Sequence, residues 1–143
     1  MIKKTIISII VICGLLGISP ATAGVPGTDL YLVSTARSPG AHGSQWYTTV
    51  WIHNLSRTDQ AQVTVAYLER NQSNTNPMLQ TRFLEPGETL TIEDIFLDLF
   101  GLQQAAGALR FSSNQDIGVS ARIYNLTKKP EKEWKYFGKN SKI

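Results

Sequence analysis

The sequence has almost no cysteine, and the one it has, Cys13, lies in the amino-terminal apolar run. The rest of the chain therefore has no disulfide framework, no thiolate metal site and no cysteine nucleophile. About 120 residues remain after that run, enough for one domain that buries roughly two thirds of its unfolded surface. Such a domain must be stabilised by packing around a single core.

Residues that carry catalytic or metal chemistry are also scarce. The two histidines, His42 and His53, stand in no H-x-H or H-x-x-x-H spacing and have no carboxylate cluster beside them, so the sequence predicts no metal site and no cofactor. No G-x-S-x-G turn or phosphate-binding glycine motif is present. Asp94 and Asp98 read as a like-charge pair on the solvent side of a helix rather than as a catalytic pair. We therefore expect a protein that is not an enzyme.

The first residues have the order of a secretory signal peptide. Lys3 and Lys4 precede an apolar run over about residues 6–18, and Ala21 and Ala23 form a small-x-small cleavage site. The run is shorter than the roughly 20 residues that cross a bilayer, so an uncleaved anchor is the weaker alternative. We predict a signal peptide over 1–23, export to the periplasm or beyond, and no transmembrane segment after cleavage.

Charge is unevenly distributed along the remainder of the chain. Residues 24–127 carry six arginines, no lysine and nine acidic residues, a net charge of −3, whereas residues 128–143 carry six lysines and two glutamates. An acidic body does not favour nucleic acid as a partner. The basic tail, with room for a short last strand, is either a solvated terminus or a contact for an anionic membrane or a polyanion.

Short strand-like segments recur every ten to fifteen residues between these ends, with Pro, Gly and Asn at the turns. They cover residues 29–34, 45–54, 61–69, 78–84, 89–92, 107–112 and 117–125. This rhythm predicts an antiparallel β-sandwich of about seven strands over residues 24–127. One segment has helical spacing instead, with Ile92, Ile95, Phe96 and Leu99 on one stripe, a Thr91–Asp94 start and Gly101 as the cap, and we expect it to close one end of the sandwich.

Alternation along each strand selects a core side, chosen by where the aliphatic residues collect. The predicted core residues are Leu30, Leu32, Val50, Ile52, Val63, Val65, Tyr67, Leu79, Phe83, Leu90, Leu109, Phe111, Ile117, Val119 and Ile123. Trp46 is expected at the edge of this core.

The opposite side of two of these strands is the candidate binding surface. It carries Tyr47, Trp51 and His53 on one strand and Arg122 and Tyr124 on the other. If the strands are neighbours, these side chains form a patch of aromatic rings with a cation, of the kind that holds sugars or peptides. The alternative is structural, with Arg122 lying over Trp51 or Tyr47 in an ordinary cation–π contact.

Several stretches together resemble an immunoglobulin-like β-sandwich repeat of secreted bacterial proteins. They are WYTTVWIHN, PGE, DIFLDLFG, GALR and SARIYN, spread over residues 30–125. The resemblance implies an immunoglobulin-like sandwich and an extracytoplasmic location, and it implies no particular activity. The family pattern has aspartate where this chain has Thr49, and its chains continue past the point where this one stops.

Composition, pattern and resemblance lead to one expectation about function. We expect an exported, non-enzymatic module with a structural or adhesive role at the bacterial cell envelope, bound to an envelope protein or polysaccharide through the five residues named above. The alternative is a carbohydrate-binding accessory module. The oligomeric state is not predicted by the sequence.

Overall fold

The computed structural model describes residues 25–126. Six strands and two short helical turns follow one another along this part of the chain. The strands are β1 (Gly27–Pro39), β2 (Gln45–Asn54), β3 (Ala61–Glu69), β4 (Met78–Leu84), β5 (Thr89–Ile92) and β6 (Ala105–Leu126), and the turns are Ala41–Gly43 and Ile95–Leu99. The predicted signal peptide and basic tail lie outside the described residues. Within residues 25–126, no helix is long and apolar enough to span a membrane.

All six strands belong to one antiparallel sheet with the order β4-β3-β6-β1-β2-β5. The long strand β6 organises it, because β3 and then β2 pair along one of its edges while β1 pairs along the other. The end of β1 also pairs with the start of β2. This ring of β1, β2 and β6 curls the sheet into a half-barrel with the core inside the curl.

The structure confirms the antiparallel β class and the bounds of β2, β3, β4 and β5. The two-sheet sandwich of about seven strands is not confirmed, since the described residues form six strands in one sheet. The turn expected at residues 113–116 is wrong, because β6 runs through it. Turn-forming side chains there bond to backbone instead: Asn114 Oδ1 accepts from the Gln62 amide at 2.7 Å, and Ser113 Oγ accepts from the Gln115 amide at 3.2 Å. They produce an irregular step in a continuous strand.

The core contains most of the residues predicted for it. Buried as expected are Val50, Ile52, Val63, Val65, Tyr67, Leu109, Phe111 and Ile117, with Leu30, Leu32, Leu90 and Val119 packed against them. The prediction is wrong for Leu79, Phe83 and Ile123, which are exposed. On β4 the inner face is the opposite one, because Leu84 lies across from the buried Ala61 and fills the core. Ile123 lies on a part of β6 that pairs, among the described residues, with β2 alone.

The helical segment is a single five-residue π-helical turn. The four residues of the predicted apolar stripe are all buried, but Ile92 ends strand β5 and the turn itself carries Ile95, Phe96 and Leu99. The Phe96 ring meets the Tyr67 ring edge-on at 5.2 Å. Gly101 has the expected left-handed conformation, with φ of 70°. The start differs from the prediction, because Asp94 itself caps the turn by accepting from the Leu97 amide at 3.4 Å.

Candidate functional site

The five candidate residues lie on neighbouring strands and on one face. In the β2–β6 ladder Tyr47 is opposite Tyr124, Thr49 is opposite Arg122, and His53 is opposite Gly118. Because side chains alternate along a strand and directly opposite residues share a face, all five point outward, away from the core. We call Tyr47, Trp51, His53, Arg122 and Tyr124 the aromatic strip.

One end of the aromatic strip is a stacked pair of rings with a cation on each. The Tyr47 and Tyr124 ring centroids are 5.7 Å apart with an interplanar angle of 26°. The Arg122 guanidinium lies 4.7 Å from the Tyr124 centroid, and the Arg37 guanidinium lies 5.6 Å from the Tyr47 centroid. Arg122 therefore contacts a tyrosine of its own strand rather than Trp51 or Tyr47. These contacts fix the ring orientations in advance of any ligand.

Arg37, which the sequence did not single out, is held in place by hydrogen bonds to residues of and near the helical turn. Its Nε donates to Asp94 Oδ2 at 2.7 Å, and its guanidinium also donates to the carbonyl of Gln103. Both side chains of this ion pair are mostly buried. The prediction that Asp94 faces solvent beside Asp98 is therefore wrong: Asp94 positions the cation that covers Tyr47, while Asp98 accepts a hydrogen bond from the Asp94 amide at 2.9 Å.

Between Tyr47 and Trp51, the outward position on β2 is occupied by a buried threonine. Thr49, at the position where the resembled family has aspartate, is 1% exposed and its hydroxyl donates to the Glu93 carbonyl at 2.8 Å. A neutral side chain at this buried position needs no counter-charge. The strip is therefore two regions, the stacked tyrosines at one end and Trp51 with His53 at the other.

The second region borders an open groove of about 600 Å³. Trp51 and His53 form part of its wall, and His53 Nδ1 lies 2.8 Å from Thr89 Oγ1. The remaining lining comes from Val25, Pro26, Leu55, Gly118, Val119 and Ser120. The walls are mainly apolar with a few hydrogen-bonding groups, the usual composition of a small-ligand site, and the volume falls within the roughly 300–1,000 Å³ typical of such sites.

The described groove lining contains one ionisable side chain, that of His53. None of the described residues that line it is acidic, so His53 has no carboxylate there to orient it as a general base. Over residues 25–126 no three His, Cys, Asp or Glu side chains converge in a way that could hold a metal ion. Indole, imidazole and hydroxyl groups remain available for stacking and hydrogen bonding.

Sequence reasoning missed one residue that supports this region, Asn54 at the end of β2. Its side chain is fully buried, and Nδ2 donates to the carbonyls of Asp59, Leu84 and Glu85 at 2.9, 3.2 and 3.1 Å. Its Oδ1 accepts from the Ser56 amide at 3.0 Å. The only signal in the sequence was the W-x-x-N spacing of the resemblance. Asn54 ties two loops to the strand end that carries Trp51 and His53.

Comparison with known proteins gives one informative likeness. No family model matches the chain, and no curated protein matches it. Among solved structures, it is similar to the Anabaena sensory rhodopsin transducer, with a TM-score of 0.53 and 19% sequence identity over 71% of this chain and 92% of that one. At this identity the likeness concerns the fold alone, and it shows that the described β architecture also occurs in a solved protein.

Proposed function

We propose that this chain is an exported, non-enzymatic binding module that contacts an envelope protein or polysaccharide through its aromatic strip. The observation that carries the proposal is the β2–β6 register, which brings three residues of β2 and two of the distant strand β6 onto one outward face beside a groove. Aromatic rings fixed before binding contribute contact area at little entropic cost. The export half of the proposal rests on the Lys3–Ala23 segment alone.

A non-enzymatic role is supported by the composition of the groove. His53 contacts a threonine hydroxyl, and a nucleophile–base pair would require a third group that orients the imidazole. The described groove lining offers apolar side chains, glycine and Ser120 for the remainder of its surface. This arrangement suits the binding of a ligand better than the transfer of a proton.

The finer description of the fold is likewise a proposal. We infer that the half-barrel is a variant of an immunoglobulin-like β-sandwich of about seven strands. What supports this is that the two halves of the curled sheet enclose one core between them and that the five resemblance motifs fall on β2, the β4–β5 turn, the helical turn and β6. An experimental structure of the whole chain would test the strand count.

The binding proposal is tested with two tryptophans of the same strand. Trp51 is on the outward face of β2, and Trp46, 42% exposed, is on the opposite face. We expect the protein to co-sediment with isolated cell envelopes, Trp51→Ala to reduce this binding about tenfold or more, and Trp46→Ala to retain it. Circular dichroism checks that both variants fold. Equal binding by all three proteins would contradict the proposal, and unfolding of Trp51→Ala would make the strip structural.

A second candidate function, carbohydrate binding, is favoured by one specific observation. Trp51 forms a wall of a groove that also offers the His53, Thr89 and Ser120 polar groups, the combination of an aromatic face and hydrogen-bonding partners that sugars require. Titration with defined soluble oligosaccharides separates the two functions. Saturable quenching of tryptophan fluorescence that disappears in Trp51→Ala supports the sugar site, whereas binding to envelope proteins without such quenching supports the first proposal.

A further inference from the structure

A second exposed apolar surface lies on the outer side of the other half of the sheet. Tyr31, Val33, Leu79 and Phe83 are 51, 84, 57 and 60% exposed, respectively. The ladder places Tyr31 opposite Arg110, Arg110 opposite Ala66 and Ala66 opposite Leu79 in one row across four strands. We call Tyr31, Val33, Leu79 and Phe83 the second face.

The second face is large for a surface that stays in contact with water. The two aromatic side chains expose about 200 Å² at these fractions, and the two aliphatic ones bring the total to about 400 Å². This lies within the size range of patches that usually bind something. The sequence assigned Leu79 and Phe83 to a core, and the structure gives them no cover among the described residues.

The charge of the second face is balanced. Arg110, in the row between Tyr31 and Leu79, forms a two-pronged ion pair with Asp29, with Nε to Oδ1 at 2.8 Å and a terminal nitrogen to Oδ2 at 3.0 Å. The Arg110 hydrogen bonds lower the pKa of the Asp29 carboxyl, which keeps the pair ionised and neutral as a unit. A neutral face offers no attraction to an anionic membrane or an acidic polymer.

A neutral face is suited to pairing with the same face of a second copy of this chain. A two-fold axis brings each residue against the same patch of the partner, so a net charge would repel itself whereas a neutral apolar face would not. The four strands span roughly 20 Å by 20 Å at ordinary strand spacing and rise. This footprint of about 400 Å² is about half of the roughly 800 Å² that each partner buries in a standard-size complex, so the association should be weak, in the micromolar range.

The surface also has complementary relief. Phe83 projects near one end of β4, and a hollow of about 470 Å³ lies toward the other end, lined in part by Leu79, Pro77 and Tyr31. The hollow has room for an aromatic side chain. We propose that the second face is an interface between two copies of this chain, with Phe83 of each copy seated in the hollow beside Leu79 of the other. The sheets then pack face to face at the usual separation of about 10 Å.

This interface is separate from the aromatic strip. The strip is formed by β2 and the end of β6, and the second face by β1, the start of β6, β3 and β4. Two-fold pairing through the second face leaves the strip of both copies open, so the dimer presents two binding surfaces.

Sedimentation velocity on the purified protein tests the proposal. We expect a dimer at about 10 μM and above, and a shift to monomer in Phe83→Glu that corresponds to at least about 100-fold weaker association, since the variant buries an unpaired carboxylate in each half of the interface. Phe83 is exposed on an edge strand, so the variant should fold, and circular dichroism checks this. Leu79→Gln is the second variant should the first fail to fold, with weaker association expected.

Ile123→Glu is the matched control, an equivalent change at another exposed apolar position, 40% exposed and outside the second face. It should leave the dimer intact. A wild-type protein that stays monomeric at about 100 μM overturns the proposal. So does a dimer that survives Phe83→Glu and dissociates in Ile123→Glu, because that result assigns the contact to the end of β6.

Discussion

Replacing Asn54 by alanine tests whether one buried amide holds the end of strand β2. The amide nitrogen has two hydrogens shared among the carbonyls of Asp59, Leu84 and Glu85, and the amide oxygen accepts a third hydrogen from Ser56. Alanine removes all of these partners and supplies none. The affected carbonyls belong to the β2–β3 connection and to the end of β4 with the turn after it, which this side chain joins.

The expected loss follows from the three hydrogens involved. At a net value of about 1 kcal/mol for each hydrogen bond, Asn54→Ala lowers the free energy of unfolding by about 3 kcal/mol. This is a sizeable fraction of the roughly 5–15 kcal/mol that stabilises an ordinary domain. For a domain of this size it corresponds to a fall in melting temperature of about 10–20 °C.

Asn54→Asp tests whether the amide hydrogens, rather than the shape of the side chain, hold the three carbonyls. The carboxylate has nearly the same shape but turns an acceptor toward three carbonyl oxygens, and burial opposes its charge. We expect Asn54→Asp to be less stable than Asn54→Ala at pH 7. The buried carboxyl has a raised pKa in the folded state, so the penalty shrinks as pH falls and the carboxyl becomes protonated and able to donate. The Asp variant should overtake the Ala variant below about pH 4.

Urea unfolding followed by tryptophan fluorescence measures both variants, with an unchanged m-value indicating that the same surface is exposed on unfolding. Asn114→Ala is the matched control, because Asn114 is exposed and accepts a single hydrogen bond from Gln62. It should lose about 1 kcal/mol or less. A loss below about 1 kcal/mol for Asn54→Ala would refute the reasoning, since water would then replace the amide without cost.

Two further predictions concern the core and the packing of β6. Burial raises the pKa of the Tyr67 phenol above its ordinary value of 10.0. The contribution of the neutral phenol to stability is therefore complete below pH 10 and is lost as pH rises through the folded-state pKa. Tyr67→Phe should flatten the decline of melting temperature at alkaline pH, and an unchanged decline would contradict this. A Cβ at Gly107 would overlap the Leu68 carbonyl, whereas one at Gly118 would meet Leu55 Cδ1 at an ordinary 3.6 Å. Gly107→Ala should therefore destabilise the fold by about 2–3 kcal/mol or more and Gly118→Ala by much less, as thermal melts of the two variants would show.

Local pattern was enough to predict the bounds of four of the six described strands. Alternation and turn residues predicted the bounds of β2, β3, β4 and β5 as the structure has them. The inner face of β4 could not be read in the same way, because Leu79 and Phe83 outnumber the single Leu84 that enters the core. Which face of an edge strand turns inward depends on the curl of the whole sheet, and that curl is set by strands far away in sequence.

In the candidate site too, local pattern predicted some residues, and contacts between distant parts of the chain determine the others. Period-two alternation was sufficient to group Tyr47 with Trp51 and Arg122 with Tyr124, and the pairing of β2 with β6 joined the groups. Arg37 and Asp94 were out of reach, because their ion pair joins the end of β1 to the helical turn and neither stretch carries a motif for it. Asn54 resembled a turn residue, and only its burial identifies it as an anchor.

The position of β6 at the end of the described chain governs when the protein can fold. Gly27 pairs with Ile117 and Val63 with Ser113, so β1, β2 and β3 all await a partner that the ribosome makes after them. Contacts between residues so far apart in sequence form slowly and only after the intervening chain is complete. Most of the pairings in the sheet thus form only after β6 has been translated. For the export proposed above, this delay would leave a long interval in which a secretion channel that accepts only unfolded chains could engage this one.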